Sequence, residues 1–329
     1  MKRFVFYSCL IIPSIMIGMI YGLLIQKYNI FPYYYIKNLY SYFRGANSDS
    51  DSYGLWSIGI YSGTTPFVLE DLSEISNPVL TGNDVDDIDA EFVADPFIVG
   101  SNDQYYMFFE VMNRKTKQGD IGYAKSDNGL TWKYSGIVLD ESFHLSYPYV
   151  FENKGNYYLI PSSGNDLSVR LYVASPFPEK WQYVGNLLSG HHYIDPSIVN
   201  YDDRWWLFAS VPSSDSLNLF YSDELREGWT SHPMNPIIKS NKNISRPGGR
   251  VVVHNNRVYR LTQDDHPYYG IQVFCYEITN LSTSSYKEHL HMEKPVVSKT
   301  GRGWNSSGMH HVDPHKIGER WIVAVDGRK

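Results

Sequence analysis

The tightest constraint on this chain is a unit of about 50 residues that recurs along it. Prolines at 96, 148, 196, 247 and 314 each open a short apolar run, which sets steps of 52, 48, 51 and 67 residues. The first unit reads Asp95-Pro96-Phe97-Ile98-Val99, then Tyr105-Tyr106-Met107-Phe108-Phe109, then Ile121-Gly122-Tyr123-Ala124, then Trp132. The second runs from Tyr147-Pro148 through Tyr157-Tyr158-Leu159-Ile160 and Leu171-Tyr172-Val173-Ala174 to Trp181. The third runs from Asp195-Pro196 through Trp205-Trp206-Leu207-Phe208 and Leu219-Phe220-Tyr221-Ser222 to Trp229. Turn residues such as Asn102-Asp103, Lys154-Gly155 and Asp202-Asp203 separate the runs,. Several short strands per unit, at this period, predict propeller blades.

The fourth unit, from Arg246-Pro247-Gly248-Gly249-Arg250, is looser, and the fifth, from His311-Val312-Asp313-Pro314, stops after its second run. The stretch Leu55-Trp56-Ser57-Ile58-Gly59-Ile60-Tyr61-Ser62 matches the third run of the other units. It is expected to complete the fifth blade and close the ring, which removes exposed sheet edges. The expected fold is therefore all-β: a five-bladed β-propeller over residues 53–329, behind an N-terminal transmembrane helix.

In a propeller the innermost strands line a central channel, so residues far apart in sequence converge there. Those positions hold Asp95, Tyr147, Asp195, Arg246 with Arg250, and His310, His311 and Asp313. Acids, arginines and histidines gathered at one place point to a polar ligand. Glu110, at the end of an apolar strand, and His144 join them as candidates. Each has a structural alternative: an Asx turn for Asp95 and Asp195, an ion pair for Glu110, Arg246 and Arg250, a packed histidine for His144. No metal is assigned. The group His310, His311 and Asp313 does leave room for a channel ion near His311.

The stretches Asn77-Pro78-Val79-Leu80, Phe92-Val93-Ala94-Asp95-Pro96-Phe97, Gln118-Gly119-Asp120-Ile121-Gly122, Leu139-Asp140-Glu141-Ser142-Phe143-His144, Ser245-Arg246-Pro247-Gly248-Gly249-Arg250 and Met309-His310-His311-Val312-Asp313 carry a resemblance. The set resembles the five-bladed propellers of glycoside hydrolase families 43, 32 and 62. More closely, it resembles the N-terminal domain of glucosamine inositolphosphorylceramide transferases. In the plant transferases, sugar transfer is attributed to a separate C-terminal glycosyltransferase domain that has no counterpart in this sequence. The family 43 comparison implies Asp95 as general base, a pKa-tuning carboxylate at Tyr147, and an acid at Asp195, with Glu110 nearby. Tyrosine at the tuning position departs from that pattern. Two triplets, Asp84-Val85-Asp86 and Asp87-Ile88-Asp89, match DxD but precede the first blade, so no nucleotide–metal site is assigned to them.

From Phe4 to Ile25 the chain carries 22 uncharged residues flanked by Lys2, Arg3 and Lys27, long enough to span a bilayer. The expected organisation is residues 1–28 as cytosolic stub and signal anchor, 29–52 as juxtamembrane linker, and 53–329 as propeller. Lys2 and Arg3 favour a cytosolic N-terminus and a propeller on the non-cytosolic side, although Lys27 and Lys37 reduce the contrast,. Sequons at Asn243, Asn280 and Asn305 are compatible with that side. A net charge of −6 without a basic stripe excludes nucleic acid as a partner,. The 28 tyrosines suit both half-buried strands and sugar faces,.

The sequence thus favours a membrane-anchored, carbohydrate-active propeller that binds or helps modify a glycan or glycolipid head group, with a separate glycosyltransferase as a plausible partner. A glycoside hydrolase using Asp95 and Asp195 is the first alternative. A protein-interaction platform is the second.

Overall fold

The computed structural model describes residues 55–329. The expected membrane segment and linker lie outside them. Among the described residues no helix is long and apolar enough to cross a membrane.

Five antiparallel sheets follow one another along the chain, each with its strands running from the channel outwards. Blade one comprises Ala90–Ser101, Gln104–Asn113, Gln118–Ser126 and Lys133–Leu139. Blade two comprises Ser146–Asn153, Asn156–Ser162, Ser168–Ala174 and Trp181–Ser189. Blade three comprises Ile194–Tyr201, Arg204–Val211, Ser216–Ser222 and Thr230–Ser231. The fifth blade is built from both directions: Val312–Ile317, Arg320–Arg328, Trp56–Gly63 and Leu69–Asp71 lie side by side. Trp56 pairs with Arg328 and Gly63 with Trp321, so the early strand closes the ring as the repeat predicts.

Local chemistry sets these elements. The tight turns from inner to second strand carry two left-handed residues each: Asn102 and Asp103, Lys154 and Gly155, Asp202 and Asp203, Asn255 and Asn256. Two successive positive φ angles match the right-handed twist of the flanking strands, and Asn, Asp and Gly tolerate them best. Trp132, Trp181 and Trp229 each give their indole N–H to a carbonyl of the loop before them, on Gly129, Pro178 and Leu225 respectively. Between blades, faces rich in Phe, Tyr, Leu and Val pack together: Phe97, Phe108, Tyr149, Leu159 and Leu207 share one cluster.

Blade four explains its looser sequence. Its inner strand is broken into Arg246–Pro247 and Val252–His254, with Gly248 and Gly249 between them. Gly249, at φ +137°, bridges in parallel to Val312 of blade five, and a Cβ there would sit 1.8 Å from the Val312 carbonyl oxygen. Only glycine allows that contact. The longer step to Pro314 takes up the extra strand Val297–Ser298 and the 3₁₀ turn Gly303–Asn305.

Candidate functional site: the mouth of the channel

Asp95, Tyr147 and Asp195 share one unusual conformation. Their φ angles are +54°, +47° and +51°, although none is glycine. Each sits at a break in the ladder between an inner strand and its neighbour, at Ala94/Phe97, Ser146/Tyr149 and Ile194/Ser197. These are β-bulges rather than simple Asx turns. Such a backbone costs about 1–3 kcal/mol per residue and persists where its surroundings hold it. The bulges turn the side chains of Asp95 and Asp195 toward the mouth, and that of Tyr147 toward Ser197 and Gly249.

Two of the three are carboxylates, and two more carboxyls meet them. Asp95 and Glu110 are 6% exposed, Asp195 1% and Asp326 0%. Asp326, which sequence reading missed, organises the group. Its Oδ1 accepts the backbone N–H groups of His310 and His311 and faces His310 Nδ1 at 2.7 Å. Its Oδ2 accepts the N–H of Asp95. The signal available was an acid inside an otherwise apolar run, Ile322-Val323-Ala324-Val325-Asp326.

Burial, reinforced by Asp326 and Asp195 and partly offset by His310, lifts Asp95 to about 7. Its Oδ2 accepts the N–H of Tyr147, while Oδ1 has no hydrogen-bond partner. Burial and then the charges of Asp95, Asp195 and Asp326 hold Glu110 well above the carboxylate range. Burial alone would depress His310, but the Asp326 carboxylate outweighs it and raises the group. The same contact holds Asp326 low against its own burial. Trp56, another residue missed in sequence, stacks on the His310 ring at 3.9 Å.

Glu110 stands under His144. His144 Nδ1 accepts the N–H of Gly119, which turns Nε2 toward Glu110 Oε1 at 3.5 Å. Gly119 permits that approach: a Cβ would come within 2.8 Å of both side chains. His144 then opens into a cleft of about 120 Å³ whose walls include Ser146, Ser162, Asn165, His192, Asp195 and Arg246. His192, just before the third blade, also lines this cleft. Burial lowers the pKa of both His144 and His192, so their imidazoles are neutral near pH 7.

Asp195 is already occupied on one side. Its Oδ2 accepts from Arg246 Nε at 2.5 Å and from Gln263 Nε2 at 3.2 Å. Arg246 also lies 3.8 Å from Asp265 and over the ring of Tyr269.

The structure separates residues that sequence had grouped. Arg246 belongs to the mouth, but Arg250 lies one layer along the channel. There it pairs with Asp313 at 2.7 Å and donates to the carbonyls of Val150 and Ile98. Asp313 accepts the N–H of Ile98. This clamp joins four blades and takes no part in the cleft. His311 packs edge-on against Phe97 and Tyr147, and burial pushes its pKa down to about 3. The ligand atoms that come within 4.8 Å of one another are on Asp95, His310 and Asp326, so His310, His311 and Asp313 do not form the ion set sequence grouped. Tyr147, at the position of the expected tuner, is a structural hub. Its hydroxyl lies 2.8 Å from Ser197 Oγ, from the Gly249 carbonyl and from the Gly249 N–H. The DxD-like stretch is also structural, since Asp87 accepts from Tyr134 and from the N–H of Ile137.

Comparison with known proteins agrees with this architecture. The family model for the N-terminal part of glucosamine inositolphosphorylceramide transferase 1 matches residues 48–328. The chain is 36% identical over 304 residues to glucosamine inositolphosphorylceramide transferase 1 of Oryza sativa subsp. japonica, covering 84% of this chain and 40% of the relative. The Arabidopsis thaliana protein of the same name is 34% identical, with 84% of this chain and 39% of the relative covered. This chain thus spans about two fifths of the length of these curated relatives. Among solved structures, an exo-1,5-α-L-arabinanase from a bovine ruminal metagenomic library superposes with a TM-score of 0.52 at 17% identity, over 73% of this chain and 90% of that one. That likeness extends to the fold alone. By sequence, the chain belongs to the family of glucosamine inositolphosphorylceramide transferase N-terminal domains.

Proposed function

We propose that this propeller is a carbohydrate-active domain that holds a glycan or glycolipid head group in the cleft at its channel mouth, binding it or helping to modify it. The observation that carries the reading is the make-up of that cleft. One Asp–Arg pair is surrounded by neutral hydrogen-bonding groups on His144, Ser146, Ser162, Asn165 and His192. Such walls match hydroxyl-rich ligands, for which each group is both donor and acceptor. Tyr269, under the guanidinium of Arg246, adds an aromatic face beside the pair,. Family membership supports a glycolipid setting, because the curated relatives are named as transferases acting on an inositolphosphorylceramide. In that setting residues 4–25 anchor the chain, the propeller works on the non-cytosolic side, and a separate glycosyltransferase performs the transfer.

One observation favours a second reading, glycoside hydrolysis. Asp95 titrates at about 7 and Glu110 is held protonated beside it, so a proton acceptor and a proton donor stand together,. In this version Glu110 replaces Asp195 as the acid, because Asp195 Oδ2 already accepts from two donors.

The test is a glycan array together with a chromogenic-glycoside screen on the full chain in detergent, beside Asp95→Asn. Binding without turnover is the expected result. Turnover that Asp95→Asn abolishes would replace it with the hydrolase. A folded protein that binds no glycan and turns none over would reject both.

A further inference from the structure

We infer that the Asp195–Arg246 pair is a reader of two adjacent ring hydroxyls, so that the cleft selects a neutral cyclic polyol, a sugar or cyclitol ring with a vicinal diol, over a phosphate. This rests on the carbohydrate reading above and specifies its ligand.

The geometry leaves the two halves of such a reader free. Asp195 spends Oδ2 on Arg246 and Gln263, and its Oδ1 has no protein partner among the described residues. Arg246 spends Nε on Asp195, and among the described residues its other ion-pair neighbour, Asp265, stands 3.8 Å from Nη1, beyond hydrogen-bond reach. A free carboxylate oxygen and free guanidinium N–H groups therefore stand side by side on the cleft wall. Neighbouring ring hydroxyls complement them: one donates to Oδ1 while the next accepts from the guanidinium.

Three features hold the reader in place. Asp195 is fixed by its bulge and gives its N–H to Ser162 Oγ. Arg246 lies over the Tyr269 ring at 4.9 Å, which sets the plane of its fork,. Gln263 in turn donates to the Pro247 carbonyl, tying the pair to the backbone that carries Arg246.

Charge decides against an anion. The positive charge of Arg246 is matched by Asp195 at contact, with Asp265 close behind. A phosphate seated here would face Asp195 directly and gain no unpaired cation. Size decides against an extended chain. A cleft of about 120 Å³ is well below the ~300 Å³ at the small end of ligand pockets, so it admits one ring,.

The experiment is a binding titration of the full chain in nanodiscs, using methyl glycosides that bind on the array, their 2-deoxy, 3-deoxy and 4-deoxy forms, myo-inositol and inorganic phosphate. Removing one hydroxyl of the diol that is read should weaken binding roughly tenfold to a hundredfold, since each bond engages a charged group. Phosphate should neither bind nor compete. Asp195→Asn keeps the left-handed backbone, which Asn tolerates, and should lose affinity by a similar factor while retaining the parent's melting temperature within a few degrees. Arg246→Lys, which keeps charge but removes the fork, should do the same. Nanodiscs carrying a neutral glycosphingolipid, set against the free glycosides, tell a lipid-borne ring from a soluble glycan end. Equal binding of parent and all deoxy sugars would overturn the diol reader while leaving the carbohydrate reading intact. Phosphate binding lost in Arg246→Lys would overturn it in favour of an anion site. Failure of every sugar and of inositol would sink both.

Discussion

The hydroxyl of Tyr147 accepts the backbone N–H of Gly249 at 2.8 Å, across 102 residues of sequence. A side chain from blade two thereby satisfies the backbone at the break in blade four, where Gly248 and Gly249 leave the ladder. Tyr147→Phe would leave that N–H facing a ring edge, while the Ser197 hydroxyl keeps the Gly249 carbonyl as its acceptor. The expected loss is about 1–3 kcal/mol, the cost of an unmet buried polar group. Chemical denaturation measures it, and an unchanged midpoint would show that the hub does not support the break.

Arg250 and Arg246 should separate cleanly by function. Arg250→Met strands Asp313, which is 0% exposed, and is expected to cost about 3–5 kcal/mol of stability,. In protein that still folds at low temperature, sugar affinity should be unchanged, because the clamp lies a layer away from the cleft. A parallel loss of affinity would join the two layers into one site.

Asp95 makes stability depend on pH in a defined direction. Its ordinary value of 3.8 is lifted to about 7 in the fold, where His310, Asp326, Asp195 and Arg246 face it. Between those values the native state keeps a proton that the unfolded chain has released. The group's contribution is therefore full below about pH 4 and lost as pH climbs toward 7. Asp95→Asn removes this loss and keeps an acceptor for the Tyr147 N–H. Its stability relative to the parent should rise from pH 4 to pH 8, as read from melting temperatures. A difference that stays flat across that range would mean Asp95 is not held protonated.

The three sequons are not equivalent. Asn305 is 4% exposed and its side chain bonds Tyr61 and Thr300, whereas Asn280 is exposed at a strand end. Asn305→Gln should destabilise the fold by about 1–3 kcal/mol, and Asn280→Gln by less than about 0.5 kcal/mol. Peptide mapping of protein from a glycosylating host should find Asn305 bare. A glycan there on folded protein would contradict the burial.

Much of this architecture was legible because blades repeat their chemistry. The Asn102-Asp103 and Asp202-Asp203 turns, the Asp-Pro marks and the match of residues 55–62 to a third strand each report a local requirement that the sequence must meet. The site was legible on the inner strands and, through Glu110 and His144, just beside them. Asp326 lies on a second strand and Trp56 on a third, and both reach the mouth only because the fifth blade closes around them. Arg246 and Arg250 are four residues apart and serve different layers, because four residues of strand-like backbone carry the chain about 13 Å along the channel,. His310 and His311 part by another route: adjacent side chains of an extended backbone face opposite directions. One reaches Asp326 and the other packs against Phe97.

The closing blade gives the site a history. His310 keeps its orientation through Trp56 at one end of the described chain and Asp326 at the other. Both belong to the seam where Trp56–Gly63 lies against Arg320–Arg328. Any parting of that seam would take Trp56 off the imidazole that faces Asp326 and Asp95. Ring closure and the set of the mouth are therefore coupled, and any ligand that took the closed mouth would act as a clasp on the propeller.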